Sequence, residues 1–292
     1  MIKTAVFPVA GKGTRFLPIT KVIPKEMIPL VNTPIIHYII KEAIDSGIEK
    51  LVFVNAENKK SILNYLKRNY ELEKFLEKNN REDLIESIKG FAEKVEVVEV
   101  IQDEQLGLGH AVNMSKDHIG KNDFFTVLLG DEVIRSERAA IKQIIDIANK
   151  YKAPVLGVVE VPMDDVSKYG VIRGKSVNSE TYKILEMIEK PNQTEAPSNL
   201  VSPGRYVFNY DIFHYLEKSS KGALGEYQLS DAINAQAKNE DFYAHLIKGQ
   251  RYDTGNPLGY LNASLDFALK RSDIGDEVFK LLKEKIAKDP RS

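Results

Sequence analysis

Short apolar runs alternate with charged segments of helical spacing over the first 160 residues of the chain. The apolar runs are rich in Val, Ile, Leu and Phe and have the length of buried strands. They cover residues 4–9, 51–56, 95–101, 124–129 and 153–161. Strands that alternate with helices predict a mainly parallel sheet covered on both faces, which is a Rossmann-like doubly wound α/β fold. Right-handed crossovers would bring the carboxyl ends of these strands to one edge, where ligands bind.

The segments between the apolar runs predict helices. The segment 35–47 has helical spacing, and we expect Thr33 as the N-cap, Pro34 as the first helical residue and Gly47 as the C-cap. We also expect two or three short helices within 58–94, a loop and a helix within 106–119, and a helix over 138–151.

The second half of the chain is less regular. Residues 168–210 consist of short strands and turns, and we predict helices near 211–218 and 227–239, a strand over 242–247 and a helical C-terminal tail. No internal repeat or low-complexity linker interrupts the chain. We therefore predict a mixed sheet, with one domain over 1–270 and a helical tail over 271–292 that serves packing or subunit contact.

The charges of the chain nearly cancel, since 41 Lys and Arg residues stand against 42 Asp and Glu residues. This balance argues against a global basic field, so we expect neither a nucleic-acid nor a membrane partner. The absence of cysteine excludes disulfides, thiolate metal sites and cysteine nucleophiles. The apolar run at the N-terminus is too short for a signal peptide, and no stretch approaches a membrane span, so we expect a cytoplasmic protein.

A glycine-containing loop, AGKGTR (10–15), follows the first predicted strand. Glycine lets backbone amides approach a phosphate or a base closely, and Arg15, Lys21 and Lys25 add positive charge. The loop is not a Walker A motif, and Phe16 stands where a dinucleotide fingerprint needs its third glycine. By itself the pattern is also compatible with a plain strand-to-helix turn that carries surface lysines.

Gln102 and the segment LGLGHA (106–111) follow the third predicted strand. An amide side chain both donates and accepts hydrogen bonds, which suits the edge of a uracil ring, although a solvated strand end is an equally simple interpretation of Gln102. We interpret His110 as a residue near a helix N-terminus whose ring has a partner, rather than as a group that reacts.

Two acidic positions and one acid–base pair complete the candidate chemistry. Asp131 ends a buried strand and Asp253 lies in RYDTG (251–255), so both could supply hard oxygen ligands to Mg²⁺ or could simply cap helices. Glu189 and Lys190 could accept from sugar hydroxyls and meet a sugar phosphate, or could form an ordinary turn at a strand end.

The segment GKGTRFLPITKVIPKEMIPLVNTPIIHYII (11–40) resembles the opening of bacterial UTP–glucose-1-phosphate uridylyltransferases, a branch of the sugar nucleotidyltransferase superfamily. The resemblance extends over about residues 4–266, and it implies the nucleotide-diphospho-sugar transferase fold. Departures at Val201-Ser202-Pro203 and within Leu224–Tyr227 leave sugar selectivity and assembly open.

The resemblance implies a role for each candidate residue. Base and phosphates would be held by Ala10, Gly11, Gly13, Thr14, Arg15 and Lys25, and the uracil ring by Gln102 and Gly107. Glucose 1-phosphate would be bound by Gly170, Glu189, Lys190 and Gly204. One Mg²⁺ ion would be bound by Asp131 and Asp253, and catalysis would rest on Arg15, Lys25, Asp131 and Lys190.

The implied reaction joins UTP to glucose 1-phosphate by metal-assisted in-line attack and gives UDP-glucose and pyrophosphate. The implied assembly is a homodimer or homotetramer. Three alternatives stay open on the sequence: a nucleotidyltransferase for dTTP, CTP or another sugar, a metal-dependent glycosyltransferase, and a binding protein without activity.

Overall fold

A ten-stranded mixed sheet forms the centre of the computed structural model, which describes residues 2–89, 91, 94–222 and 225–289. The strands are β1 (Thr4–Pro8), β2 (Pro29–Leu30), β3 (Thr33–Pro34), β4 (Lys50–Asn55), β5 (Glu96–Ile101), β6 (Phe124–Leu128), β7 (Glu132–Arg135), β8 (Val155–Glu160), β9 (Gly170–Ser176), β10 (Thr181–Glu189), β11 (Leu200–Val201), β12 (Arg205–Asn209), β13 (Tyr243–Leu246) and β14 (Gln250–Asp253). The large sheet has the order β11-β9-β10-β13-β8-β12-β6-β1-β4-β5, while β7 pairs with β14 and β2 with β3.

The parallel part of the sheet contains the strands that we predicted in the first half of the chain. β1 lies between β4 and β6 and runs parallel to both, and β5 extends the sheet beyond β4. Ala5, Val6 and Phe7 are fully buried, as expected for a central strand covered on both faces. The carboxyl ends of these strands meet at one edge, where β1 runs directly into the glycine loop.

The other part of the sheet contains antiparallel pairs, so the prediction of a mixed sheet is confirmed. β12 runs antiparallel to β6 and β8, and β9 runs antiparallel to β10. The register pairs Gly170 with Glu189, which places the start of β9 and the end of β10 at the same edge.

Helices cover both faces of the sheet, as predicted. They are α1 (Ile35–Asp45), α2 (Lys60–Leu66), α3 (Tyr70–Lys78), α4 (Ile85–Ile88), α5 (Leu108–Asn113), α6 (Ala140–Tyr151), α7 (Ile212–Lys218), α8 (Leu229–Ala237), α9 (Pro257–Leu269) and α10 (Gly275–Ala287). One apolar cluster contains residues of α1 and α6, such as Ile39 and Ile144, and a second contains residues of α5, α7 and α8, such as Phe213 and Ile233.

Of the two predicted ends of α1, the C-terminal one is confirmed and the N-terminal one is not. Gly47 adopts a left-handed φ of 90° and its amide donates to the carbonyl of Ile44 at 2.9 Å, so the C-terminal prediction is confirmed. The N-terminal prediction is wrong by one residue, because Thr33 lies in β3 and the N-cap position is occupied by Pro34, which is therefore not the first helical residue. Pairing of Thr33 with Leu30 in this hairpin holds both residues extended, so the helix begins at Ile35.

The predicted C-terminal tail contains a helix, α10, and residues 290–292 of the tail lie outside the described residues. α10 packs against α9, but Phe279 and Ile286 on α10 remain 51% and 63% exposed. Within the described ranges, none of the helices combines the length and the hydrophobicity that spanning a bilayer requires.

Candidate active site

A cleft of about 950 Å³ opens at the carboxyl-terminal edge of the sheet, beside the end of β6, the start of β9 and the end of β10. Its volume lies within the usual range for small-molecule sites. Six of the predicted site residues line it: Arg15, Asp131, Gly170, Glu189, Lys190 and Asp253. The fold therefore brings together candidates that are far apart in the sequence.

A second cavity, of about 470 Å³, lies against the glycine loop. Its described lining consists of Ala10, Lys12, Thr20, Lys21, Val22, Pro24, Asn58, Lys59 and Gln105. Three of these residues are lysines and none is acidic, so the cavity suits an anionic group. The amide nitrogen of Gln105 donates to the carbonyl of Ala10 at 2.7 Å and fixes one side of the loop.

The glycine loop needs glycine at Gly13 for two reasons. Its φ of 65° is left-handed, and a Cβ there would lie 3.1 Å from Thr20 Cγ2 and 3.3 Å from Lys25 Cβ. The hydroxyl of Thr20 donates to the carbonyl of Gly13 at 2.8 Å. Gly11, in contrast, faces open space, and the turn Thr14–Phe16 that follows carries Arg15 to the cleft.

Lys25 forms an ion pair with Asp131, which lines the cleft, and its Nζ lies 2.5 Å from Oδ2. Burial acts against both charges. Even so, the pKa of Lys25 lies above its ordinary value because Asp131 and Glu26 attract its proton. The pKa of Asp131 lies below its ordinary value because Lys25 stabilises the carboxylate. Both groups are therefore charged at neutral pH.

Asp131 and Asp253 are brought together by the small sheet β7–β14. Its register sets Asp253 opposite Glu132, which directly follows Asp131. The backbone amide and the hydroxyl of Thr254 both donate to the carbonyl of Asp131, at 3.0 and 2.7 Å. These contacts hold the chain around both aspartates in one arrangement.

The two carboxylates face a space that Gly255 leaves open. A Cβ at Gly255 would lie 2.7 Å from Asp131 Oδ2 and 3.2 Å from Asp253 Oδ1. Within the described part of the chain, no group of three or more His, Asp or Glu side chains could hold a metal ion. Two carboxylates nevertheless suit Mg²⁺, which commonly takes one or two protein carboxylates and completes its shell with phosphate oxygens and water.

Asp253 is also held by side chains that the sequence did not single out. The hydroxyl of Tyr169 donates to Asp253 Oδ2 at 3.0 Å. The guanidinium carbon of Arg251 lies 4.2 Å from the centre of the Tyr169 ring, and both arms of Arg251 bind the Glu132 carboxylate at 2.6 and 2.7 Å.

Gly170, Glu189 and Lys190 also line the cleft, at the start of β9 and the end of β10. A Cβ at Gly170 would lie 2.3 Å from Met187 Cε and 3.2 Å from Glu189 Oε2, so this glycine leaves room for both side chains beside the backbone. Lys190 has a left-handed φ of 47°, and its amide donates to the carbonyl of Tyr169 at 3.0 Å. Its ammonium lies 3.0 Å from Glu189 Oε1 and is partly exposed, within reach of an anionic ligand.

Gln102 is buried, which excludes its interpretation as a solvated strand end. Its amide nitrogen lies 2.8 Å from His110 Nδ1, so the His110 ring has the partner that we expected. Gly107, with a φ of 102°, packs against the backbone of Tyr227, where an added Cβ would lie 2.8 Å from the carbonyl oxygen. Contact of Gln102 and Gly107 with uracil stays a prediction.

Gly204 does not line the cleft. It has a φ of 69°, its carbonyl accepts from the Leu129 amide at 3.0 Å, and an added Cβ would lie 2.4 Å from Leu129 Cγ. Leu129 does line the cleft, so Gly204 lies behind that wall. Through its contacts with Leu129, Gly204 thus supports the wall of the cleft.

Known proteins resemble the chain over nearly its whole length. The family model described as "Nucleotidyl transferase" matches residues 5–269. UTP–glucose-1-phosphate uridylyltransferases of Staphylococcus epidermidis and Staphylococcus haemolyticus are each 41% identical over 283 residues, which is 97% of this chain and 98% of theirs. The chain belongs to the UTP–glucose-1-phosphate uridylyltransferase family.

Solved structures agree with this membership. A UDP-glucose pyrophosphorylase in complex with UDP-glucose is 41% identical, with a TM-score of 0.86 over 93% of this chain and 100% of that one. The UTP-bound enzyme from Acinetobacter baumannii is 39% identical, with a TM-score of 0.89 over 97% of this chain and 99% of that one. The fold predicted from the resemblance is therefore confirmed.

Several residues at the site of this uridylyltransferase family member were not predicted from the sequence. Lys59 is buried, and its ammonium donates to the carbonyl of Val9 at 2.6 Å and to Glu26 Oε2 at 3.1 Å. It thereby ties the start of the glycine loop to the neighbour of Lys25. No motif marks Lys59 in its charged segment, whereas Tyr169 and Arg251 do lie within motifs that the sequence displays, KYGVI and RYDTG.

Proposed function

We propose that this chain transfers the uridylyl group of UTP to glucose 1-phosphate, using the residues predicted from its sequence. One observation carries the assignment of roles. One cleft is lined by two cations, Arg15 and Lys190, and by two carboxylates, Asp131 and Asp253, which supports sites for two phosphate groups and for one metal ion. The curated relatives are named as uridylyltransferases for the same pair of substrates.

The reaction exchanges one phosphorus–oxygen bond for another. A phosphate oxygen of glucose 1-phosphate forms a bond to the α-phosphorus of UTP. The bond from that phosphorus to the bridging oxygen of the β-phosphate breaks, and its electron pair leaves with pyrophosphate. No general base is needed because the attacking oxygen is already ionised at neutral pH. The tasks of the protein are to align two anions and to reduce their repulsion.

Each cation of the site serves one part of this task. Lys190 would orient the phosphate of glucose 1-phosphate, whose sugar hydroxyls would lie against Glu189 and Gly170. Arg15 and Lys25 would stabilise charge on the triphosphate. Lys59 would act indirectly, since it holds the loop and the segment that carry these two residues. The backbone of Ala10, Gly11, Gly13 and Thr14 would receive base and phosphates, with Gln102 and Gly107 at the uracil.

Nucleotidyltransferases generally use a divalent metal ion, and Mg²⁺ is the ion that we propose here. Asp131 and Asp253 would hold it, and the open space at Gly255 supports that assignment. When bound, Mg²⁺ would offset the negative charge that accumulates on the phosphates. Lys25 must then share Asp131 with the ion, because its ammonium already contacts Oδ2.

Assembly and location complete the proposal. Helix α10 carries an apolar stripe that contains Phe279 and Ile286. Both side chains are more than half exposed in one protomer, so the stripe is only partly covered. A second copy of the chain would cover it, which favours a homodimer or homotetramer. We propose a cytoplasmic location, in keeping with a chain that contains no cysteine.

A matrix of substrates tests the function. Pyrophosphate release would be measured with UTP, dTTP and CTP, each combined with glucose 1-phosphate and galactose 1-phosphate, with and without Mg²⁺. We expect the highest kcat/KM with UTP and glucose 1-phosphate, and no release after chelation. A control reaction that contains UDP-glucose and a sugar acceptor, but no pyrophosphate, tests for glycosyltransferase activity.

The outcomes separate the alternatives. A clear preference for dTTP or CTP would overturn the uridylyl assignment and leave the reaction class intact. Sugar transfer from UDP-glucose to an acceptor, without exchange of pyrophosphate, would identify a glycosyltransferase instead. Binding of UTP without turnover in any combination would favour a binding protein.

A further inference from the structure

Both oxygens of the Asp253 carboxylate accept a hydrogen bond from the protein. The backbone amide of Gly255 donates to Oδ1 at 3.0 Å, and the hydroxyl of Tyr169 donates to Oδ2 at 3.0 Å. Arg251 lies 3.8 Å from Oδ2, which is too far for a hydrogen bond. Tyr169 is therefore the side chain that sets the orientation of this carboxylate.

The ring of Tyr169 is itself held in place. Arg251 lies over it at 4.2 Å, and the Glu132 carboxylate fixes Arg251 through two hydrogen bonds. Glu132 in turn directly follows Asp131 and lies opposite Asp253 in the small sheet. The two candidate metal ligands, Asp131 and Asp253, are thus connected by a series of contacts through Glu132, Arg251 and Tyr169.

The main chain of Tyr169 contacts Lys190, the residue proposed to bind the sugar phosphate. Its carbonyl accepts from the amide of Lys190 at 3.0 Å, and the next residue, Gly170, pairs with Glu189. One residue therefore contacts Asp253 through its hydroxyl and the proposed sugar-phosphate lysine through its backbone. A displacement of Tyr169 would move both partners relative to each other.

We propose that Tyr169 is a positioning residue that orients the Asp253 carboxylate for the metal ion and keeps it in register with Lys190. This inference rests on the proposed function, because it takes Asp253 as a metal ligand. A hydrogen bond to each oxygen leaves lone pairs free for a cation. A carboxylate that is already oriented loses less rotational freedom when it binds, and outer partners of this kind typically change metal affinity 10- to 100-fold.

Tyr169→Phe tests the role of the hydroxyl, because the ring that packs against Arg251 stays. Binding of Mn²⁺ to the full-length protein would be followed by the electron paramagnetic resonance of free Mn²⁺, with and without UDP-glucose. We expect affinity to fall about 10- to 100-fold. In turnover, the Mg²⁺ concentration for half-maximal rate should rise, and saturating Mg²⁺ should restore most of kcat.

Tyr252→Phe is the matched control. It removes a hydroxyl from the residue next to Asp253, but that hydroxyl donates to Asp266, which keeps Lys270 as a partner. Mn²⁺ affinity should stay unchanged in this variant. Unchanged Mn²⁺ affinity in Tyr169→Phe, with or without a change in sugar-phosphate binding, would overturn the inference.

Asp253→Asn distinguishes failure of the inference from failure of the metal site. If Asp253→Asn loses Mn²⁺ and Tyr169→Phe does not, the metal site stands and only the positioning role is wrong. If Asp253→Asn keeps full Mn²⁺ affinity, the proposed metal site is wrong, and the role of Tyr169 falls with it.

Discussion

The ammonium of Lys25 lies 2.5 Å from Oδ2 of Asp131, which is the same oxygen that an added Cβ at Gly255 would approach to 2.7 Å. Without ligands, Lys25 is thus the counter-ion of the carboxylate that would bind the metal. In the proposed function, binding of UTP and Mg²⁺ divides this pair between a phosphate and a metal ion.

Lys25→Met should therefore affect the two ligands in opposite directions. Loss of a charge-assisted contact to phosphate costs about 1.5–3 kcal/mol, so UTP affinity should fall about 10- to 150-fold. Mn²⁺ affinity of the ligand-free protein should rise about 5-fold or more, because a repelling unit charge beside Asp131 is removed. Calorimetric titration measures both affinities.

Lys41→Met, which removes a surface ion pair with Asp45 on α1, is the control for Lys25→Met and should change neither value. Weaker Mn²⁺ binding in Lys25→Met, in a variant whose melting temperature is preserved, would contradict the role of Lys25 as a counter-ion.

Lys190→Ala should weaken glucose 1-phosphate binding about 10- to 150-fold and leave UTP binding nearly intact. The reason is its place beside Glu189, the residue proposed to accept hydrogen bonds from the sugar hydroxyls. Titration with UTP first and glucose 1-phosphate second would measure both. Lys168→Ala removes another cation of the same cleft, one that is paired with Asp165, and should have little effect. Loss of UTP affinity in Lys190→Ala would reverse the placement of the two substrates.

Gly255→Ala should abolish metal-dependent turnover while the fold survives. The new methyl group would lie 2.7 Å from Asp131 Oδ2, in the space between the two carboxylates. Mn²⁺ affinity, circular dichroism and melting temperature would be measured together. In Gly222→Ala the methyl group meets its nearest atom at 3.6 Å, an ordinary contact, so this variant is the control. Normal Mn²⁺ binding by Gly255→Ala would show that the ion binds elsewhere.

Arg205→Met should lower the free energy of unfolding by about 3–5 kcal/mol, because it leaves the Glu42 carboxylate buried without its cation. Arg205 is fully buried, and its guanidinium binds both oxygens of Glu42 at 2.8 and 2.9 Å. The double variant Glu42→Leu/Arg205→Met removes both charges and should recover much of the loss. Urea unfolding measures all three proteins. A double variant that is no more stable than Arg205→Met would contradict this explanation.

Light scattering at micromolar protein should give a mass of two or four chains. Replacing both Phe279 and Ile286 with Glu places two charges on the exposed stripe of α10 and should shift the mass towards one chain. Lys280→Glu changes the charge of the same helix without changing the stripe and is the control. A monomeric native protein would rule out the predicted assembly, and an oligomeric double variant would place the contact elsewhere.

The alternation of strands and helices could be predicted from the sequence because it depends on local patterns. The apolar run of β1, the glycine loop after it and the C-cap at Gly47 each reflect the preferences of a few neighbouring residues. The family could be predicted as well, since its motif lies within residues 11–40. Even here a hairpin of two short strands displaced the expected cap at Thr33.

Contacts between distant segments could not be predicted in this way. The pairing of β7 with β14 brings Asp131 to Asp253, and each strand has only four residues, too few to show a periodic pattern in the sequence. Lys59 looks like a surface lysine in a charged segment until folding buries it against Val9 and Glu26. The resemblance assigns Gly204 to glucose 1-phosphate, yet Gly204 packs behind Leu129. Residue types and local spacing are properties of the sequence by itself. The burial of a side chain and the partners of a charged group are decided only when distant segments pack together in the folded protein.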